Sequence, residues 1–214
     1  MKMKKLMSEA DDTAKLFYLY LIFTLGKTIS YLWEYALIQK ILSHEGNFES
    51  AVTGLTVFQS ILSILQALTV LFIIFYFLRW FYHSHLMLEQ DENIYYLNHK
   101  SNSAIWSWFV PVINLILPYL VMRENYETWK ELKNPRSKKP DNIVFFWWIL
   151  FISSIVAGAF GIGVLEGINS PNLEKYINNP WPFFLPGLIE MVAISATLKM
   201  LKNFKKFYVG EVCA

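Results

Sequence analysis

The feature that most constrains this chain is an apolar run over residues 55–82, which contains no charged side chain before Arg79. At about 1.5 Å of rise per residue, a helix of this length exceeds the roughly 30 Å hydrocarbon core of a bilayer. The run therefore predicts a transmembrane helix that tilts or projects beyond the hydrocarbon region.

The composition and motif content agree with a membrane protein. The 214 residues are 55% hydrophobic and 17% charged, whereas ordinary soluble domains carry about 25% charged residues. The single cysteine, Cys213, excludes an intramolecular disulfide. The sequence contains no zinc-protease, nucleophile-elbow, P-loop or dinucleotide-binding motif. We therefore expect no cofactor and no metal site, and the few clustered lysines do not predict a nucleic-acid partner.

Three further stretches are long enough to cross a bilayer, over residues 16–38, 143–165 and 183–201. The first is too long for a signal-peptide core and follows an acidic segment, so we interpret it as a retained span. Together with residues 55–82, these stretches predict an all-α integral membrane protein that forms one membrane domain over residues 1–214.

A fifth apolar stretch, residues 104–122, contains Pro111, Asn114 and Pro118, so a straight helix there would lose backbone hydrogen bonds. If this stretch does not cross and the N-terminus is cytoplasmic, 16 of the 19 basic residues fall on the cytoplasmic side. If it crosses, neither side has a comparable excess. The positive-inside rule therefore favours four spans with both termini cytoplasmic. Residues 104–122 would then be re-entrant or interfacial, and packed against the spans.

The segment after this stretch has the pattern of an amphipathic interfacial helix over residues 119–133. Apolar side chains recur there at spacings of three and four, and Arg123 and Glu127 form an i,i+4 pair among the charged positions between them. Basic residues here and near the C-terminus predict contact with anionic lipid headgroups. These headgroup-facing candidates are Arg123, Lys130, Lys138, Lys139, Lys202, Lys205 and Lys206.

The broken stretch also carries a specific motif. Residues 106–115 read W-S-W-F-V-P-V-I-N-L, and residues 118–124 read P-Y-L-V-M-R-E. They resemble the signature W-F-V-P-x-x-N-L-x-x-P-Y-x-x-M-R-E of a bacterial multi-pass membrane family described as a domain of unknown function. The similarity covers residues 55–204 and departs at residues 83–86, where H-S-H-L stands in place of the family's basic turn. The resemblance implies a bacterial inner-membrane location and a broken third segment, and it implies no activity.

Five residues of this motif form our candidate helix-break site: Trp108, Pro111, Asn114, Pro118 and Tyr119. Asn114 between two prolines could satisfy backbone groups at the break, and freed carbonyls at such a break could instead bind a ligand or ion. The structural interpretation is favoured, because a re-entrant turn needs such a cap to form.

Lys27 and Glu190 are the charged residues deepest in the predicted spans. Charges at membrane depth cost at least a few kcal/mol, so they usually face the bundle interior and find partners. Lys27 lies about 16 Å from the inner end of its span and Glu190 about 11 Å from the outer end of its own, which places them at similar depths. An ion pair between the first and last spans is therefore predicted. It could relay a proton or cation, or fix helix orientation, and the second interpretation is favoured.

Two other patterns have structural interpretations. The H-x-H sequence of His83 and His85, with His99 further on, could indicate a metal site, but residues two apart on a helix face different sides. A row of polar side chains in the second span, which includes Gln59 and Gln66, could line a water path, although helix packing is favoured.

The sequence therefore predicts a non-enzymatic scaffold, accessory subunit or regulator in the bacterial inner membrane. It would act through contacts with lipid, a protein partner or a second copy of the chain. The alternative is a small ion- or proton-coupled transporter or channel that uses Lys27, Glu190, Glu34 and the 111–118 break. A third interpretation is an enzyme that acts on lipid.

Overall fold

The computed structural model describes residues 2–43, 49–92, 94, 97–110, 113–133, 141–168 and 181–212. Within these ranges all regular secondary structure is helical, which confirms the predicted all-α class. Six α-helices and one short 3-10 helix, Ile113–Leu115, follow each other along this part of the chain. The α-helices are α1 (Lys2–Leu42), α2 (Glu49–Glu89), α3 (Ser103–Trp106), α4 (Leu117–Lys133), α5 (Ile143–Ile168) and α6 (Trp181–Val212).

Three helices are long and apolar enough to cross a membrane: Met3–Lys40 in α1, Thr53–Glu89 in α2 and Phe184–Val209 in α6. Helix α5 contains a shorter apolar helical stretch, Ile143–Ala159. Helices α1 and α2 continue well beyond the apolar runs of the sequence, because their polar ends contain residues with high helix propensity such as Lys, Glu and Ala.

The broken segment consists of α3, the 3-10 helix and the start of α4. Pro118 is the second residue of α4 and is buried. In the first turn of a helix the missing proline N–H removes no intrahelical hydrogen bond. Pro111 lies outside the described residues. The indole Nε1 of Trp148 donates to the backbone carbonyl of Leu115 at 3.0 Å, so one carbonyl at the break is satisfied by α5.

The chain divides into two compact units. Unit 1 comprises Met1–Phe17, Leu71–Ile149 and Ala196–Ala214, and unit 2 comprises Tyr18–Val70 and Leu150–Ser195. Helices α1, α2, α5 and α6 contribute residues to both units, whereas α3, the 3-10 helix and α4 belong to unit 1 alone.

The core of unit 1 is aromatic. Phe204 is fully buried and packs edge-on against Trp80, with ring centroids 5.0 Å apart, and against Tyr126 at 5.2 Å. Trp129 and Tyr208 form a similar pair at 4.9 Å. Edge-to-face pairs of this kind add about 0.5–1.5 kcal/mol each to the free energy of burial.

In unit 2, small residues permit close helix contacts. A Cβ atom added to Gly187 of α6 would lie 3.2 Å from Cβ of Thr28 and still closer to its Oγ1. A Cβ added to Gly26 would lie 3.6 Å from Cδ1 of Leu62 in α2, which is an ordinary van der Waals contact. Large apolar side chains such as Ile61, Leu68 and Ile22 are exposed, as is expected of surfaces that face lipid tails.

Candidate functional site

Helix α1 carries a stripe of polar side chains in unit 2, at successive spacings of four and three residues. The members of this polar stripe are Tyr20, Thr24, Lys27, Tyr31 and Glu34. At 3.6 residues per turn these positions share one face of the helix.

The polar stripe is hydrogen-bonded to two other helices. The Tyr20 hydroxyl donates to the Glu190 carboxylate of α6. From α2, the amide Nε2 of Gln66 donates to Oγ1 of Thr24 at 3.0 Å, and that of Gln59 donates to Oε2 of Glu34 at 2.8 Å. Thr24 and Gln66 are buried, so these bonds join α1, α2 and α6 within one unit.

Lys27 lies beside this network. Its Nζ is 5.9 Å from the ring centroid of Tyr31, and it interacts electrostatically with Glu190. The ion pairs within 4.0 Å in the described part of the chain do not include these two residues. Direct pairing of Lys27 with Glu190 therefore stays a prediction, and the hydrogen bond that reaches Glu190 comes from Tyr20.

A buried carboxylate lies in unit 1. The Glu9 side chain is 8% exposed, and its Oε1 accepts from Nε of Arg79 at 3.0 Å. Its Oε2 lies 2.7 Å from Nδ1 of His83. Because an ionised carboxylate can only accept hydrogen bonds, His83 donates here through Nδ1–H. We refer to Glu9, Arg79 and His83 as the carboxylate centre.

The side chains of His83, His85 and His99 do not converge on one site. His83 belongs to the carboxylate centre, Nε2 of His85 lies 2.8 Å from the carbonyl of His99, and Nδ1 of His99 lies 2.6 Å from Oε2 of Glu124. Among the described residues no group of three potential ligands is arranged to hold a metal ion. Glu124 also accepts from the backbone N–H of His99 at 3.2 Å, so it secures the chain ahead of α3.

A buried polar cluster joins α2, α4 and α6 in unit 1. The hydroxyl of Ser84 donates to Oδ1 of Asn125 at 3.1 Å, lies 3.0 Å from the Tyr208 hydroxyl, and accepts from Nε1 of Trp129 at 3.0 Å. All four residues are buried. The bonds hold three helices in register, as expected of polar groups that share an apolar core.

The helix-break motif is distributed around α5. Trp108 packs against Trp148 and Phe77, with ring centroids 5.9 and 5.8 Å away. Tyr119 contacts Phe145 at 6.3 Å. Asn114 lies in the 3-10 helix, is half-buried, and donates its backbone N–H to the Val110 carbonyl at 2.9 Å.

The headgroup-facing candidates have different environments. Lys202 and Lys206 are exposed, Lys205 pairs with Asp11, and Nζ of Lys130 lies 4.0 Å from Oδ2 of Asp141. Arg123 and Glu127 form the predicted i,i+4 pair, with Nε donating to Oε1 at 2.8 Å. The hydrogen bond to Glu127 raises the pKa of Arg123 above its ordinary value. Lys138 and Lys139 lie outside the described residues.

Tyr126 connects α4 to the approach to α5. Its hydroxyl donates to Oδ2 of Asp141 at 3.1 Å and accepts from Nδ2 of Asn203 at 3.2 Å. Burial raises the pKa of Tyr126 to about 12, a rise that the bond from Asn203 opposes and the Asp141 carboxylate supports. The phenol therefore stays protonated, and able to donate, beyond the pH at which a free tyrosine ionises.

This shift predicts a pH dependence. Because the pKa in the folded chain exceeds the ordinary value of 10.0, the stabilisation is fully present below pH 10 and is lost as the pH rises towards 12. Between pH 10 and pH 12 we expect the ionisation of Tyr126 to lower the free energy of unfolding of the wild type by about 1–2 kcal/mol. The advantage of the wild type over Tyr126→Phe, measured as free energy of unfolding in detergent, should shrink accordingly. A difference that is constant between pH 9 and pH 12 would contradict this prediction.

Several of these residues are not identified by the sequence arguments. In the sequence Glu9 is only part of the acidic segment that argues against a signal peptide. Its spacing from Leu6 and Thr13 nevertheless places the three residues on one helical face, and all three are buried. Tyr20 could have been found in the same way, since it shares the α1 face of Lys27 and Glu34. The Ser84 cluster joins residues 41 and 124 positions apart in the chain, and no local pattern indicates it.

The helical fold and its long apolar helices define the class: an all-α membrane protein. The family is identified by comparison. The model of the family described as Domain of unknown function (DUF4328) matches residues 47–206, and the chain belongs to this family. No curated protein and no solved structure matches the chain significantly.

Proposed function

We propose that this chain is a multi-pass inner-membrane protein that works as a non-enzymatic scaffold, accessory subunit or regulator, through contacts with lipid or protein. The observation that carries the proposal is that polar side chains within the predicted spans form hydrogen bonds between helices. Glu190, Glu34 and Thr24 each bond to a side chain on another helix. Interhelical hydrogen bonds are a common means of holding helices together in a membrane.

We further propose four spans, formed by α1, α2, α5 and α6, with both termini in the cytoplasm. Each of these helices contributes to both compact units, whereas the whole 71–149 segment, with the proline break inside it, belongs to unit 1. The 16 basic residues that this topology places on the cytoplasmic side all fall within the segments of unit 1. The assignment of the whole 71–149 segment and of these basic residues to unit 1 supports a broken segment that enters and leaves the membrane on its cytoplasmic side.

Single-cysteine labelling tests the topology. In a Cys213→Ala background, cysteines placed at Ser8, Asn102 and Lys133 should all react with a membrane-impermeant maleimide from the cytoplasmic face of oriented vesicles. A cysteine at Asn102 that reacts from the face opposite to one at Lys133 would show that the broken segment crosses.

An ion-flux assay tests the functional proposal. Purified protein in proteoliposomes should give proton and potassium flux equal to that of protein-free liposomes, and Glu190→Gln should change stability without changing flux. Asp12→Asn, a change at a surface pair with Lys15, is the matched carboxylate control. Flux that Glu190→Gln abolishes and Asp12→Asn preserves would refute the scaffold proposal.

That outcome would favour the second candidate, a small proton- or cation-coupled transporter. The specific observation behind it is that Tyr20, Glu190 and Lys27 bring two ionisable groups and a hydroxyl together at membrane depth. Ionisable groups in such a position mark ion pathways in many membrane proteins.

A further inference from the structure

A groove of about 320 Å³ opens in unit 1 between α4 and the start of α5. On the α4 side it is lined by Tyr119, Arg123 and Glu127. Asp141 and Asn142 line the other side, together with the first turn of α5. The groove therefore combines one cation, two carboxylates and an aromatic wall.

The charged groups of the groove are held in place by hydrogen bonds to their neighbours, and each still has donor or acceptor positions for a ligand. Oδ1 of Asp141 accepts from the backbone N–H of Ile143 at 3.1 Å, which fixes the carboxylate at the start of α5. Arg123 uses its Nε to bond Glu127, and a guanidinium has five N–H donors in all. Oδ2 of Asp141 also accepts from the Tyr126 hydroxyl at 3.1 Å and lies 4.0 Å from Nζ of Lys130. A carboxylate offers about four acceptor positions, so Glu127 and Asp141 can each still accept a further donor.

The chemistry of the groove indicates a ligand that carries both charges. A guanidinium binds a phosphate oxygen pair in bidentate geometry. Glu127 pairs with Arg123 and Asp141 lies 4.0 Å from Nζ of Lys130, so these four charges balance and do not favour a purely anionic ligand. The remaining acceptor positions of the two carboxylates suit an ammonium group that donates hydrogen bonds. Phe145 and Phe146, which are 47% and 60% exposed, provide an apolar surface at the same groove. That surface suits the acyl chains of a lipid rather than a water-soluble molecule.

We infer that this groove binds the headgroup of a zwitterionic phospholipid with a primary amine, such as phosphatidylethanolamine. Arg123 holds the phosphate, Glu127 and Asp141 accept from the ammonium, and the acyl chains lie along Phe145 and Phe146. This inference rests on the membrane location in the proposed function, and it names the lipid contact through which the protein acts.

Lipid binding to the full-length protein in detergent, measured by native mass spectrometry, tests the inference. The probes are phosphatidylethanolamine, phosphatidylcholine and phosphatidylglycerol with identical acyl chains. We expect phosphatidylethanolamine to bind at least fivefold more tightly than the other two. Glu127→Gln should remove this preference, because glutamine can still accept from Arg123 but lacks the charge that the ammonium needs. Arg123→Gln should weaken all three lipids, and Glu131→Gln, one turn further along α4 and outside the groove lining, should change nothing.

Three results would overturn the inference. They are equal binding of the three lipids by the wild type, an effect of Glu131→Gln equal to that of Glu127→Gln, and binding of soluble phosphoethanolamine as tight as that of the lipid. A thermal unfolding measurement on each variant shows whether it is folded. Tyr119→Phe is a milder change in the groove lining. Because flux is measured separately, failure of the scaffold proposal would leave the lipid preference intact, and the reverse also holds.

Discussion

Replacing Gly187 with alanine is expected to lower the free energy of unfolding by up to about 3 kcal/mol, the upper end of the usual cost of overpacking. The added Cβ would lie 3.2 Å from Cβ of Thr28 and closer still to its hydroxyl, so α1 and α6 would have to separate. That separation would also stretch the bond between Tyr20 and Glu190, because it joins the same two helices. Titration with a denaturing detergent in lipid bicelles measures the loss.

Two controls show whether the cause is this contact. Among the described residues, no heavy atom lies within 4 Å of a Cβ added to Gly158 of α5, so Gly158→Ala should be neutral or stabilise slightly through helix propensity. Thr28→Ala, introduced into Gly187→Ala, should restore part of the lost stability, because it removes the hydroxyl that comes closest to the added Cβ and leaves only the 3.2 Å contact with Cβ of residue 28. Equal losses for Gly187→Ala and Gly158→Ala would contradict the proposed close packing.

The second large effect is expected at the carboxylate centre. Removing both Arg79 and His83 by substitution with glutamine leaves the carboxylate of Glu9, which is 8% exposed, without its two partners. Removing the partners of a fully buried charge costs about 3–5 kcal/mol. Because Arg79 and His83 are 43% and 29% exposed, the loss here should be at most about 3 kcal/mol, the lower end of that range. We expect a loss of this size for the double variant, measured by the same titration.

The neutral variant Glu9→Gln isolates the role of the charge. Introduced into the double variant, it should recover most of the lost stability, because a buried amide costs less than a buried anion. Lys15→Gln breaks a surface pair with Asp12 and should change the stability little, because exposed ion pairs contribute little net stabilisation. If Glu9→Gln brings no recovery, the loss comes from side-chain packing and the electrostatic explanation is wrong.

The sequence predicts the helices well because their signals are local. Apolar runs and the 3.6-residue period indicate α1, α2, α5 and α6, and the amphipathic pattern predicts α4 to within two residues of its observed start at Leu117. The pair of Arg123 with Glu127 follows from the i,i+4 spacing alone. The prolines correctly predict that residues 104–122 are not one straight helix.

The tertiary contacts are harder to predict because they depend on which helix faces meet. Depth within a span suggests Lys27 as a partner of Glu190, a pairing that stays a prediction. Depth does not specify rotation about the helix axis, so it does not indicate that the hydroxyl of Tyr20 bonds to Glu190. The partners of Glu9 are 70 and 74 positions away in the chain. Only the packing of α1 on α2 brings these three residues together.

A double-mutant cycle on Tyr20 and Glu190 tests most directly whether polar side chains hold these helices together. The free energy of unfolding in a lipid bilayer is measured for the wild type, Tyr20→Phe, Glu190→Gln and the double variant, with a second cycle on Tyr18, an exposed tyrosine of the same helix, as control. We predict a coupling energy of about 0.6–1.7 kcal/mol for Tyr20, between the average and the maximum for interhelical hydrogen bonds in a membrane protein, and none for Tyr18. Zero coupling between Tyr20 and Glu190 would contradict a structural role for the polar stripe.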